Sequence, residues 1–191
     1  SEYESADTIL EENLANTGMS LSADQRVYDF YGLFSRTELD EIESLIRAQE
    51  EQSGISIRVF VAEMSMNEEK AFLEECADAL CDGGFSSEDL AIMLLNLDYF
   101  DRGVCIQGYG LCEERVNDDR IEYILDDIIE WFSEEDYVYG VELFAREAAY
   151  YAGSDDYATY YKDTSVKAKL HRMPWGLIVI APAVVTFIGI L

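Results

Sequence analysis

Leu90-Ala91-Ile92-Met93-Leu94-Leu95-Asn96-Leu97 is apolar at every position but Asn96. A short run with no polar face to turn to water reads as a strand covered on both sides, as in sheets flanked by two layers of helices. Upstream, Ile55-Ser56-Ile57-Arg58-Val59-Phe60-Val61-Ala62 is rich in β-branched residues and reads as a second strand. Between them Asn67 can cap a helix over residues 68–80, whose apolar stripe is Ala71, Phe72, Cys76, Ala77 and Leu80. Further back, Ser35-Arg36-Thr37-Glu38 is a capping box opening a helix with Leu39, Ile42, Leu45 and Ile46 at helical spacing, and Gly54 ends it. A short apolar segment, residues 27–29, precedes that helix.

Downstream, the polar connection 98–101 leads to a strand over residues 102–107. Asn117 or Asp118 then caps a helix bearing Ile121, Ile124, Leu125, Ile128, Ile129 and Phe132, and a last helix spans residues 137–151. Strand, helix, strand, helix, strand, strand, helix, helix predicts an α/β protein, an αβα sandwich around a central mixed sheet.

Residues 26–152 suffice for one domain with one core. Residues 1–25 show little apolar periodicity and are expected to form an acidic flexible tail, with a short helix around Ile9 to Leu14 at most. Residues 153–172 read as a polar juxtamembrane stalk. The chain carries 40 acids and 13 bases, a net charge of −27. No Lys or Arg precedes Arg26. Nucleic-acid binding, which needs basic patches to displace phosphate counterions, is excluded.

All of that charge lies in the first 172 residues, because residues 173–191 have none. As a helix, residues 174–191 would reach roughly 27 Å, just enough to cross the hydrocarbon core. A single C-terminal transmembrane helix is therefore expected, with Pro174, Trp175, Leu177 and Ile178 at its membrane entry and Lys167, Lys169, His171 and Arg172 before it. The chain begins at Ser1 and stops at Leu191 inside the apolar run, so both ends are expected to be trimmed and the span truncated. The basic flank alone would place the acidic domain in the cytoplasm.

His171 is the only histidine and lies outside the domain, which excludes Ser-His-Asp and Cys-His catalysis and histidine-based phosphatases. No phosphate-cradling glycine motif occurs, and no Cys-x-x-Cys pair suggests zinc. Cys76 and Cys81 point away from a common face. Cys105 and Cys112 flank a Gly-Tyr-Gly turn and would meet only if it reversed the chain, buried thiols being the favoured reading.

Val27-Tyr28-Asp29-Phe30-Tyr31-Gly32-Leu33-Phe34-Ser35 resembles the VVDDAGLLS opening of the TPM domain, a module of thylakoid photosystem-repair proteins, bacterial YgcG-like proteins and a nematode receptor auxiliary subunit. The apolar strand resembles the family's DNGVLLLV, Gly108-Tyr109-Gly110-Leu111 its GYGLE, and Glu135-Asp136-Tyr137 its GDY. The resemblance covers residues 26–152 in order and implies the membrane-anchored YgcG-like branch, with the domain outside the cytoplasm. It further implies a carboxylate site for Ca2+ or Mg2+ at Asp29, Glu88, Asp89 and Asp98, with Glu113 and Asp118 as displaced candidates. The sequence departs from the pattern at Phe30, where the family has a second aspartate, at Leu90, where it has glycine, and at Asp98-Tyr99-Phe100, where it has DDR.

Two functions follow from the resemblance: an accessory or scaffold module for membrane or envelope proteins, held at the cell membrane, and a weak divalent-metal-dependent acid phosphatase. The first is favoured, because the arginine that could hold a phosphate is replaced.

Overall fold

The computed structural model describes residues 6–153. The expected stalk and membrane span, residues 154–191 with Pro174, Trp175, Leu177 and Ile178, lie outside the described residues. Among those described, no helix is long and apolar enough to cross a membrane.

Four strands, β1 (Val27–Asp29), β2 (Ser56–Ala62), β3 (Leu90–Asn96) and β4 (Gly103–Tyr109), form one sheet in the order β1-β2-β3-β4. The first three are parallel and β4 is antiparallel to β3. Every residue of β3 is buried, as its unbroken apolar run requires. Among the described residues six helices flank the sheet: α1 (Ala6–Thr17), α2 (Arg36–Ser53), α3 (Glu69–Asp82), α4 (Leu111–Arg115), α5 (Asp118–Ser133) and α6 (Tyr137–Gly153).

The side-chain alternation of the strands sorts the core into two layers. Tyr28, Phe60, Leu94 and Cys105 fall in register on one face, beneath Phe72, Leu73, Cys76 and Leu80 of α3 and Ile9 and Leu10 of α1. There the rings of Tyr28 and Phe60 stack at 4.8 Å, and Phe72 meets Phe60 edge-on at 5.8 Å. Val59, Met93 and Ile106 face the other way, towards the layer in which α6 packs on α2, α5 and β2. The crossovers β1-α2-β2 and β2-α3-β3 step the same way across the sheet, yet their helices cover opposite faces. They are thus of opposite hand, and one takes the uncommon left-handed sense.

Local signals at the start of α2 act as read. The Ser35 side chain accepts from Glu38 N–H, the Glu38 carboxylate accepts from Ser35 N–H at 2.7 Å, and Gly54 closes the helix at φ 79°. Other expectations are corrected. The short helix expected around Ile9 to Leu14 extends over Ala6–Thr17 and buries Ile9 and Leu10; its stripe is too weak to stand out until α3 and the sheet supply its partner surface. Asn67 does not cap α3, whose N-cap is Glu68 without a side-chain bond. Of the two expected cap residues for α5, Asn117 is the one whose side chain caps it. The short helix α4 was not foreseen, and β4 runs two residues beyond its expected end. All four cysteines are free, and burial pushes the Cys105 and Cys112 thiols up to about 11 and about 12.

Glu147 is buried on α6, where burial first, then the charge of Asp127 and a hydrogen bond with it, push its carboxyl up to about 9. The native state therefore keeps a proton that the unfolded chain, at its ordinary value near 4.5, has lost. This contribution is whole below that ordinary value and is lost as pH rises towards about 9. Glu147→Gln should raise the melting temperature near pH 8 and leave it unchanged near pH 4, measured by circular dichroism. Leu10→Ala should cost roughly 2–4 kcal/mol in urea unfolding, whereas truncating a side chain in a solvated tail would cost nothing.

Candidate functional site

Because β1, β2 and β3 are parallel, the loops leaving their carboxyl ends meet at one edge of the sheet, the usual place for a site in such folds. Asp29 ends β1 and is buried. Its Oδ1 accepts from Gly32 N–H at 2.9 Å and Leu33 N–H at 3.0 Å, and its Oδ2 accepts from Phe34 N–H at 2.9 Å. Gly32, at φ 77°, allows the chain to wrap the carboxylate.

Asn96 ends β3 with no exposed surface. Its Oδ1 accepts from Met64 N–H and Asp98 N–H, both at 3.1 Å. Its Nδ2 donates at 2.8 Å to Met64 O and to Glu69 Oε1. One side chain thus ties the loop after β2, the start of α3 and the loop after β3. Burial raises the Glu69 carboxyl; the Asn96 bond opposes the rise and the Asp101 charge adds to it. Asp98 Oδ1 accepts from Phe100 N–H at 2.8 Å and Asp101 N–H at 3.0 Å, while Asp101 Oδ2 accepts from Met66 N–H at 3.2 Å. These bonds fix the hairpin loop and hold Tyr99 and Phe100 outward at 87% and 88% exposure, their rings edge-to-face 5.0 Å apart.

The other expected acids lie elsewhere. In register Asp29 aligns with Val61 and hence Leu95, so Asp89 is six residues back along β3, roughly 20 Å away at the amino edge. There Asp89 Oδ1 accepts from Leu111 N–H at 2.7 Å. Gly110 lies so close that an added Cβ would fall 2.6 Å from that oxygen, which explains the glycine of the Gly-Tyr-Gly turn. Glu88 is exposed beside it, and Glu113 and Asp118 are exposed on α4 and at the start of α5, which follow from the same edge.

Asp29 and Asp98 therefore share an edge, while Glu88, Asp89, Glu113 and Asp118 belong to the other end. Even Asp29 and Asp98 stand two strands apart, roughly 10 Å in the sheet direction. Among the described residues no three His, Cys, Asp or Glu side chains group so as to hold a metal ion. The carboxylate site for Ca2+ or Mg2+ implied at Asp29, Glu88, Asp89 and Asp98, with Glu113 and Asp118 as displaced candidates, is thus divided between the two ends of the sheet, and these residues do not converge on one cation. Phe30, in place of the family's second aspartate, packs against the core instead. Sequence reasoning gave no role to Asn96, the one polar residue of the apolar run. It also missed the surface role of Tyr99-Phe100, whose signal was two adjacent aromatics inside a polar connection.

The family model of the TPM domain matches residues 27–151, and the chain belongs to that family. Solved structures share the fold. The N-terminal domain of a protein from P. gingivalis is 20% identical with a TM-score of 0.54, over 78% of this chain and 91% of that one. The N-terminal domain of cg2496 from Corynebacterium glutamicum is 17% identical with a TM-score of 0.51, over 70% and 84%. The BA42 protein from Bizionia argentinensis is 16% identical with a TM-score of 0.51, over 62% and 81%. No curated protein sequence matches.

Asp29→Ala strands three loop amides and should cost roughly 2–4 kcal/mol by urea unfolding, whereas the exposed Asp118→Ala should stay within about 0.5 kcal/mol of the parent.

Proposed function

We propose that this protein is a membrane-anchored, extracytoplasmic module of the YgcG-like kind that presents its TPM domain to membrane or envelope proteins as an accessory or scaffold. The carrying observation is the use made of the acids at the carboxyl edge. Asp29 spends both oxygens on three backbone amides, and Asp98 and Asp101 likewise hold loop amides. Such acids build a fixed surface, whereas a hydrolase needs a carboxylate free to attack a phosphorus centre or to activate water. The place where the family has DDR presents Tyr99 and Phe100 to solvent, which supports recognition over phosphate handling. Anchoring by residues 173–191 rests on their uncharged sequence.

The full chain should float with phosphatidylcholine vesicles, and a chain ending at residue 172 should not. It should hydrolyse a generic phosphate monoester no faster than buffer at millimolar Ca2+ or Mg2+. Metal-dependent turnover abolished by Asp89→Ala would overturn the module reading in favour of a phosphatase.

A further inference from the structure

Of the large hydrophobic side chains that the described surface exposes, Leu111 and Ile129 lie apart, while Tyr31, Met66, Tyr99 and Phe100 lie on the three loops of the carboxyl edge. Tyr31 follows β1, Met66 follows β2, and Tyr99 and Phe100 follow β3. Chance placement of apolar side chains on a domain this acidic would not put one loop after another at the same edge. The loops are also held rigid: Asp29 fixes the first, Asn96 and Asp101 the second, and Asp98 and Asn96 the third. Aromatic side chains are the usual anchors of protein interfaces, and a loop backbone fixed before binding loses less freedom when they engage.

The surroundings define the partner's charge. In the second and third loops Glu63, Glu68, Glu69, Asp98 and Asp101 outnumber Lys70 and Arg102. Between α1 and the β2-α3 loop a pocket of about 240 Å³ is lined by Glu12, Glu63 and Glu68 with Asn13, Asn16, Ile9 and Met64. A Lys or Arg side chain fits its chemistry. An anionic lipid surface does not, because the edge and the net charge of −27 repel it.

The geometry points to the carboxyl-edge crown of Tyr31, Met66, Tyr99 and Phe100 as a docking surface for a positively charged, apolar-bearing segment of another protein. Apolar groups of that segment pack on the Tyr99-Phe100 pair and its cations face the Glu12, Glu63 and Glu68 pocket. The long-range negative field speeds encounter, and the aromatic contacts set how long the complex lasts.

The proposal rests on the accessory-module reading and names the partner class of that module. Its test is fluorescence anisotropy of the full chain in detergent with two labelled peptides of equal charge, one alternating Lys with Leu and one alternating Lys with Ser. The Lys-Leu peptide should bind the parent at least about tenfold more tightly than the Lys-Ser peptide. Tyr99→Ser with Phe100→Ser should remove that preference, and Ile129→Ser should keep it. Glu63→Gln with Glu68→Gln should weaken binding at low salt only. Equal binding of both peptides, a Tyr99→Ser/Phe100→Ser variant that binds like the parent, or no binding at all overturns the docking surface. Such failure alongside vesicle flotation and absent hydrolysis sinks only the crown, whereas metal-dependent turnover sinks the module itself.

Discussion

A strand buried on both faces cannot end on an unmatched polar group, and in this protein that constraint falls on Asn96. Its amide lies at the carboxyl end of β3 without solvent, and its two acceptor and two donor bonds are all made within the protein. Leaving one such group unpaired in the interior costs about 1–3 kcal/mol, so the surrounding loops are obliged to keep their positions. The loop after β2 is held through Met64, the start of α3 through Glu69 and the hairpin through Asp98. Asp29 plays the same part for the loop after β1. A core problem is thereby solved in a way that shapes the surface above it.

The two edges of the sheet divide the acids by task. At the amino edge Asp89 positions the Gly-Tyr-Gly turn, and Gly110 is needed for the close approach. At the carboxyl edge Asp29, Asp98, Asp101 and Asn96 fix loops whose tips carry aromatic and sulfur-containing side chains. Most of the remaining acids stay solvated and give the domain its field. Charge and apolar tips together favour a partner that is itself cationic and partly apolar, because neither feature alone distinguishes one such surface from the many polyanions a protein meets.

Much of the fold was legible because its signals are local or periodic. The capping box at Ser35, the C-terminal glycine at Gly54 and the apolar run of β3 each specify one structure with little help from distant residues. What escaped depended on distant residues. The helix α1 has only a faint stripe and earns its place by covering Phe72 and its neighbours. The carboxylate site was implied by the resemblance to the family's motifs, but a parallel sheet sends residues before and after a strand to opposite ends, so Glu88 and Asp89 stand away from Asp29 and Asp98. The crown was hidden for the same reason: Tyr31, Met66 and Phe100 are far apart along the chain and share one end of the sheet only through the parallel register.

The central claim is that hydrogen-bonded side chains clamp the carboxyl-edge loops into a fixed platform. Native-state hydrogen exchange at the amides of Gly32, Leu33, Phe34, Met64, Phe100 and Asp101 tests it most directly. The clamp predicts protection well above that of the exposed residues Ser20, Ala23 and Asp24, and its loss around Met64 and Asp98 in Asn96→Ala under conditions where the sheet stays protected. Exchange of these amides at free-peptide rates in the parent protein would contradict it.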